Sequence, residues 1–407
     1  MKPRIVITGF GVVSPFGVGK QVFWSKVKAG ASGLKPISTF DASGCGSPLA
    51  GEVEDFRPEQ VIKYKGLSFL DRTSKLVCTA AQLAVDDAGL ELTREAKTRT
   101  GVVLGTTHGS LHSFSTFDRG LMTKGFASIS PLLFPNTVPN VPAGHVTLML
   151  GLEGFSSTVS SGLSNGLAAV KLAAQMIVNG RARAVLAGGV DSLTLETLVQ
   201  FYAAGLLAKP ATDGAAACSP FDKDRSGISL AEGASFAVLE TYEQAAARGA
   251  TIHGEILGCG SAFDPKAVYR LNPEANGGAM SAALENSGLS PGSIDFVSAG
   301  ANGGVSGDKM EALGIKAVFK GVLPRLKVGA MKSMTGECQG ASGALQICAA
   351  CLGMQEGVIP PTINLREKDA DCDFEIATEL QKANINTVMV CGSDNSGLGT
   401  SLIIGKQ

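Results

Sequence analysis

The chain alternates strand and helix patterns almost from end to end, which limits it to sheets covered by helices on both faces. Apolar β-rich runs occur at residues 4–9, 100–104, 184–186, 234–239, 294–298 and 387–391. Helical spacing fills the intervals. Residues 73–88 (TSKLVCTAAQLAVDDA) place Leu76, Ala80, Leu83 and Ala84 three and four positions apart, on one helix face. Residues 166–180 (GLAAVKLAAQMIVNG) are small and apolar almost all round, the pattern of a helix buried between layers. Residues 343–357 (GALQICAACLGMQEG) echo that stretch. Both run from glycine to glycine over the same length, follow a strand and a loop of small residues, and lack bulky aromatics. The echo predicts a duplicated architecture, one half over residues 1–250 and the other over 251–407. No linker divides the halves, and residues 212–217 (TDGAAA) read as a surface loop.

Composition narrows the function. Lys plus Arg is 35 and Asp plus Glu is 36 in 407 residues, so no basic nucleic-acid footprint exists. A charged fraction of 17% beside 44% apolar residues excludes disorder and fits much buried surface, a subunit interface included. Nothing reads as membrane-spanning. The opening MKPRIVITGFGVVSPFG breaks at Gly and Pro, so it reads as a strand and turn, not a signal peptide. Nine scattered cysteines, an odd number in a long chain, point to reduced, mostly buried thiols in a cytoplasmic protein.

Several residues carry both a chemical and a plain reading. Gly162-Leu163-Ser164-Asn165-Gly166 fits the G-x-S-x-G nucleophile elbow, but the pattern is short and the plainer reading, a tight turn before a buried helix, is favoured. Only His253 follows Ser164 as a base, and it lies in a strand-like run. Cys348 and Cys351 form a C-x-x-C inside an apolar helix, which favours packing over metal or redox chemistry. His108 and His112 stand four apart beside Leu111 and Phe114, which read as packing residues. His145 reads as satisfying backbone groups at a buried helix start. The glycine-rich stretches match no nucleotide-binding fingerprint, and H-E-x-x-H is absent. Lys332, in a small-residue loop after a strand, suits an anion or a buried acid, with Asp308 and Glu311 as candidate partners.

Ordered motifs run from residue 3 to about 404: RIVITGFGVVSPFG, SPLLFPNTVPNVPAGHVTLMLGL, AGGVDS, FDKDRSG, GDKMEA, KSMTG and VIPPTIN. Together they resemble the β-ketoacyl synthases of fatty-acid and polyketide assembly. The resemblance implies an α/β, thiolase-like fold of five layers (αβαβα) built from two similar halves, the first bearing interface and cap insertions. It also implies a dimer. The family attaches its acyl chain to a cysteine at the start of the buried helix and uses two histidines for decarboxylation and the oxyanion. In this chain Leu163 takes the cysteine position, Gly300 the first histidine and Glu337 the second. The gating loop reads Ser393-Asp-Asn-Ser-Gly-Leu-Gly399, without the usual aromatic. Leucine cannot attack a thioester, and Gly300 offers no side-chain donor. An ionised Glu337 would repel an oxyanion, and loss of one oxyanion donor alone costs roughly 10²–10³ in rate. Asp308, Glu311 and Lys332 stand where the family keeps them.

That pattern resembles the chain-length factors, the inactive ketosynthase-like subunits of type II polyketide synthases. Leu163 departs from the Gln common in actinomycete aromatic systems, and fits a divergent branch such as aryl-polyene or non-actinomycete aromatic systems. The resemblance implies no bound cofactor, a substrate carried on the phosphopantetheine of an acyl carrier protein, and a heterodimer with an active ketosynthase. Matching to the family puts Leu133 and Phe134 near the dimer interface, and Phe114 and Phe117 where members shape the tunnel floor. Plain core packing is the alternative for all four. Two other functions stay open: a ketosynthase-like decarboxylase acting on malonyl carrier protein, and a serine acyltransferase or hydrolase using Ser164.

Overall fold

The computed structural model describes residues 3–46, 48–129, 131–209, 218–265, 273–394 and 396–407. The expected loop at 212–217 and Asn395 of the gating loop lie outside the described residues.

Among the described residues, ten strands of a twelve-stranded sheet build the framework. The first half contributes β1 (Ile5–Ser14), β2 (Thr100–Gly105), β3 (Ser156–Val159), β4 (Ala184–Asp191) and β5 (Gly233–Thr241). The second contributes β6 (Gly254–Phe263), β7 (Phe296–Ser298), β8 (Lys327–Gly329), β9 (Thr387–Ser393) and β10 (Leu398–Gly405). Their order is β3-β2-β4-β5-β1 and then β6-β10-β9-β7-β8. The two arrays repeat each other in direction as well. β1 and β5 pair antiparallel, as do β5 and β4, whereas β4, β2 and β3 run parallel. β6 and β10 pair antiparallel, as do β10 and β9, whereas β9, β7 and β8 run parallel. Ile5 to Ile7 of β1 pair with residues 254–256 of β6 and stitch the arrays together.

Helices cover them in layers. The principal ones are α1 (Arg72–Ala88), α2 (Leu111–Lys124), α3 (Val141–Leu150), α4 (Asn165–Val178), α5 (Glu274–Ser287), α6 (Val305–Phe319) and α7 (Ser342–Glu356). The Asp71 side chain caps α1 by accepting from Ser74 N, and Gly89 ends the helix at φ +55°. α1 lies directly on β1, where a Cβ at Gly11 would stand 1.8 Å from the Ala80 carbonyl oxygen. α4 and α7 fill the middle between the arrays. Leu167, Val170, Ala173, Leu345, Ile347 and Cys348 share one buried cluster there. α5 packs on β6 and β10, with α6 beside it, and covers the far face. This is the five-layer, two-half arrangement expected from the sequence. The small-residue helices are in the middle because only thin side chains let a helix pack on both sides.

Other expectations fare variously. Cys348 and Cys351 are buried in the core with free thiols, and burial pushes both thiols well up. Phe114 is not a core residue. It is 48% exposed, and α2 buries none of its side chains. His145 is half-buried within α3, and its Nε2 meets Asn136 Oδ1 at 3.2 Å, so it satisfies a side chain and not the backbone. No helix among the described residues is long and apolar enough to cross a membrane.

Candidate functional site

The strand ends and the start of α4 bring the singled-out residues to one region. β3 leads through a tight turn into α4, with Gly162 at φ +116° and the Asn165 side chain accepting from Ser161 N at 2.5 Å. That is the strand–turn–helix context of a nucleophile elbow. Leu163, however, packs against an apolar cluster that includes Leu193, Leu198, Phe201 and Leu230. Ser164 is 1% exposed, and its Oγ has no hydrogen-bond partner among the described residues. His253 does not serve it. The two nitrogens of that ring face Gln355 Nε2 at 3.0 Å and Asp87 Oδ2 at 3.5 Å, and Asp87 is also paired with Lys20.

Gly300 follows β7, and its N–H donates to Glu311 Oε1 at 2.8 Å. A Cβ at Gly300 would stand 2.9 Å from the Cys391 carbonyl oxygen and 3.0 Å from Gly392 Cα. A side chain there must move backbone, so the space of a histidine is already occupied.

Glu337 is fully buried and points inward. Its Oε2 accepts from Lys332 Nζ at 2.7 Å and Asn302 Nδ2 at 2.8 Å. Its Oε1 accepts from Gln339 N at 2.9 Å and Ser342 Oγ at 2.6 Å. Two expectations change. The partner of Lys332 is Glu337, neither Asp308 nor Glu311. Glu337 is also no bare anion, because an ammonium neutralises it and four donors occupy its oxygens.

Asp308 and Glu311 instead organise the loop after β7. Asp308 accepts from the N–H groups of Phe221, Asn302 and Gly303 at 3.0 to 3.2 Å. Burial raises its carboxyl to about 6 and that of Glu311 to about 7, against the pull of those backbone donors. The loop between β9 and β10 abuts the turn before α4. Asp394 Oδ1 accepts from Ser396 N and Leu398 N, while a Cβ at Gly162 would stand 1.6 Å from Asp394 Oδ2.

Sequence reasoning missed two residues here. Asp191, at the end of β4, is 1% exposed and accepts from Thr107 N, His108 N, Thr106 Oγ1 and Gly340 N. Burial raises its carboxyl, against those hydrogen bonds. Its signal was the AGGVDS motif. Gln339, two residues past Glu337, carried none.

The four tunnel and interface candidates lie between β2 and α3. Phe114 and Phe117 lie on α2, and Leu133 and Phe134 on the 3-10 turn Pro131–Thr137 that follows. The Phe117 and Phe134 rings are 6.0 Å apart and tilted by 60°. Leu133 is 41% and Phe134 61% exposed, so this cap presents an apolar face outward.

Family comparison agrees with the framework. Residues 2–245 match the beta-ketoacyl synthase N-terminal domain, and residues 253–366 match the C-terminal domain. The chain belongs to the beta-ketoacyl synthase family. It is 34% identical over 409 residues to 3-oxoacyl-[acyl-carrier-protein] synthase 2 of Coxiella burnetii, covering 100% of this chain and 99% of that protein. It is 35% identical over 408 residues to Nodulation protein E of Rhizobium leguminosarum bv. trifolii, covering 99% of each. A chain of the ishigamide ketosynthase/chain length factor superposes with a TM-score of 0.93 at 32% identity, each chain covered in full. A type II PKS acyl-carrier protein in complex with its ketosynthase, bound to the hexaketide, contains a chain that superposes at 0.90 with 27% identity, again in full. The fold is thiolase-like. The sequence resemblance implies an acyl-bearing cysteine and two histidines at the positions held here by Leu163, Gly300 and Glu337.

Proposed function

We propose that this chain is a non-catalytic ketosynthase-like subunit, a chain-length factor, that pairs with an active ketosynthase and shapes the tunnel setting polyketide length. Two observations carry the reading: the buried Lys332–Glu337 pair, and Leu163 packed into an apolar cluster. A ketosynthase needs a nucleophile and donors aimed at a developing oxyanion. Here the nucleophile position packs as a hydrocarbon, and the acid at a histidine position spends its hydrogen bonds on the scaffold. Losing the chemistry while keeping the framework suits a subunit whose work is steric. The partner supplies the sulfur, and substrate arrives on the phosphopantetheine of an acyl carrier protein. The likeness to the ishigamide ketosynthase/chain length factor supports this assignment. The outward apolar face of α2 and the turn after it supports a subunit interface.

Co-expression with a cysteine-bearing ketosynthase tests the proposal. The expected result is a co-purifying complex in which intact-mass analysis finds acyl groups on the ketosynthase alone. Acylation and turnover by this chain purified by itself would overturn it.

A further inference from the structure

A cavity of 340 Å³ lies where the C-terminal half of α4 faces β6, and none of Leu163, Gly300 and Glu337 lines it. Gln175, Asn179 and Asn286, which do line it, are exposed, so solvent reaches the space. Its charged lining, among the described residues, is Arg4, Lys171 and Glu255. Arg4 donates twice to Glu255, at 2.9 and 2.6 Å, and Gln407 donates to the same carboxylate. Glu255 is thereby committed. Lys171 is half-buried and has no carboxylate partner among the described residues; its Nζ donates to the neutral Ser261 hydroxyl at 2.8 Å. Cys259, also in the lining, does not offset that charge. Burial raises its thiol to about 11, against the pull of Lys171, so it stays protonated at neutral pH. One ammonium therefore faces the cavity unmatched, with two donor hydrogens beyond the one that Ser261 takes. A charge withdrawn from bulk water is costly unless an opposite charge meets it.

We propose that this cavity binds a small organic carboxylate, with its oxygens on Lys171 and the neighbouring amides and its apolar part against Val178 and Ile256. The lining selects that ligand. A single unmatched positive charge suits a monoanion, whereas a phosphate dianion calls for a second cation and Arg4 is already committed to Glu255. The Gln175, Asn179 and Asn286 amides add donors without adding charge. Ala174, Val178 and Ile256 supply an apolar wall, and the volume admits a ring or a short branched group beside the carboxylate. The bound anion bridges α4 of the first half and β6 of the second, so it stabilises the fold by mass action. The inference is independent of the heterodimer reading.

The test uses the purified full-length chain with benzoate and benzamide, which match in shape and differ in charge, and with inorganic phosphate as a third probe. Isothermal titration should show benzoate binding at least about tenfold tighter than benzamide, the factor that one charge-assisted hydrogen bond supplies, and tighter than phosphate. Lys171→Met should erase that preference and leave benzamide unchanged. Gln175→Glu sets a carboxylate one helical turn from Lys171, pairs it internally and should weaken benzoate at least about tenfold. Gln175 is exposed, so this variant carries the comparison should Lys171→Met fail to fold. Equal affinities for benzoate and benzamide would overturn the site. So would a benzoate preference that survives both substitutions. Phosphate binding tighter than benzoate would overturn the assignment to a carboxylate.

Discussion

Lys332 Nζ lies 2.7 Å from Glu337 Oε2, and both side chains are buried. Breaking such a pair from one side strands a charge in the interior, at about 3–5 kcal/mol. Glu337→Ala should lower stability by that order in urea unfolding. Lys332→Met with Glu337→Leu should recover most of the loss, because removing both charges also removes the desolvation penalty. A change below about 1 kcal/mol for Glu337→Ala would mean that the pair does not hold the loop.

Leu163→Cys places a thiol just before α4, where the helix field favours the thiolate. Iodoacetamide should modify it ahead of the buried native thiols, several of which burial pushes well up. The variant should not condense acyl groups, because Gly300 and Glu337 provide no oxyanion donor. Peptide mapping and a product assay read the two outcomes separately.

Gly300→Ala should destabilise the protein by about 1–3 kcal/mol, since its Cβ meets backbone atoms and not a side chain that can turn aside. Gly300→His should be worse. Thermal unfolding of both variants measures the effect. Unchanged stability would show that the loop after β7 has room to shift.

The carboxyls of Asp308 and Glu311 are raised in the folded state from ordinary values of 3.8 and 4.5 to about 6 and about 7. Between the unfolded and folded values, the native state binds more protons than the unfolded chain. Their contribution is therefore complete below about pH 4 and is lost as pH rises through 6 and then 7. Glu311→Gln keeps an oxygen for Gly300 N and removes the titration. It should flatten the decline between pH 5 and 8 and gain on the order of 2 kcal/mol at pH 8 relative to pH 5, read from urea midpoints.

Phe114→Ala and Phe117→Ala should lengthen the product of the assembled complex, if their rings close the tunnel. Mass spectrometry of released products checks this, and unchanged length for both would remove them from the tunnel. Phe134→Asp, at a side chain 61% exposed, should abolish co-purification with the ketosynthase without unfolding the chain.

Much of the fold was legible. Residues 166–180 and 343–357 announced two thin, apolar helices, and these became α4 and α7 within one or two residues at each end. Helix identity of that kind follows from local spacing, which a sequence displays directly. Of the two readings of Phe114, core packing fails because the side chain is 48% exposed, and an apolar residue looks the same in sequence whether it is buried or not.

The sequence by itself determined the layered, duplicated framework, since side-chain periodicity and small-residue helices act over a few neighbours at a time. It also determined that residue 163 offers no nucleophile, because a leucine has none wherever it is placed. Only the tertiary structure decided which carboxylate meets Lys332. Three acids lay within reach along the chain, and the turn at Gly336, φ +72°, swings Glu337 back onto the ammonium while backbone donors claim Asp308 and Gly300 N claims Glu311. The same holds for the turn after Glu337, where Gly340 N donates to Asp191, 149 positions away, a contact that no local pattern encodes.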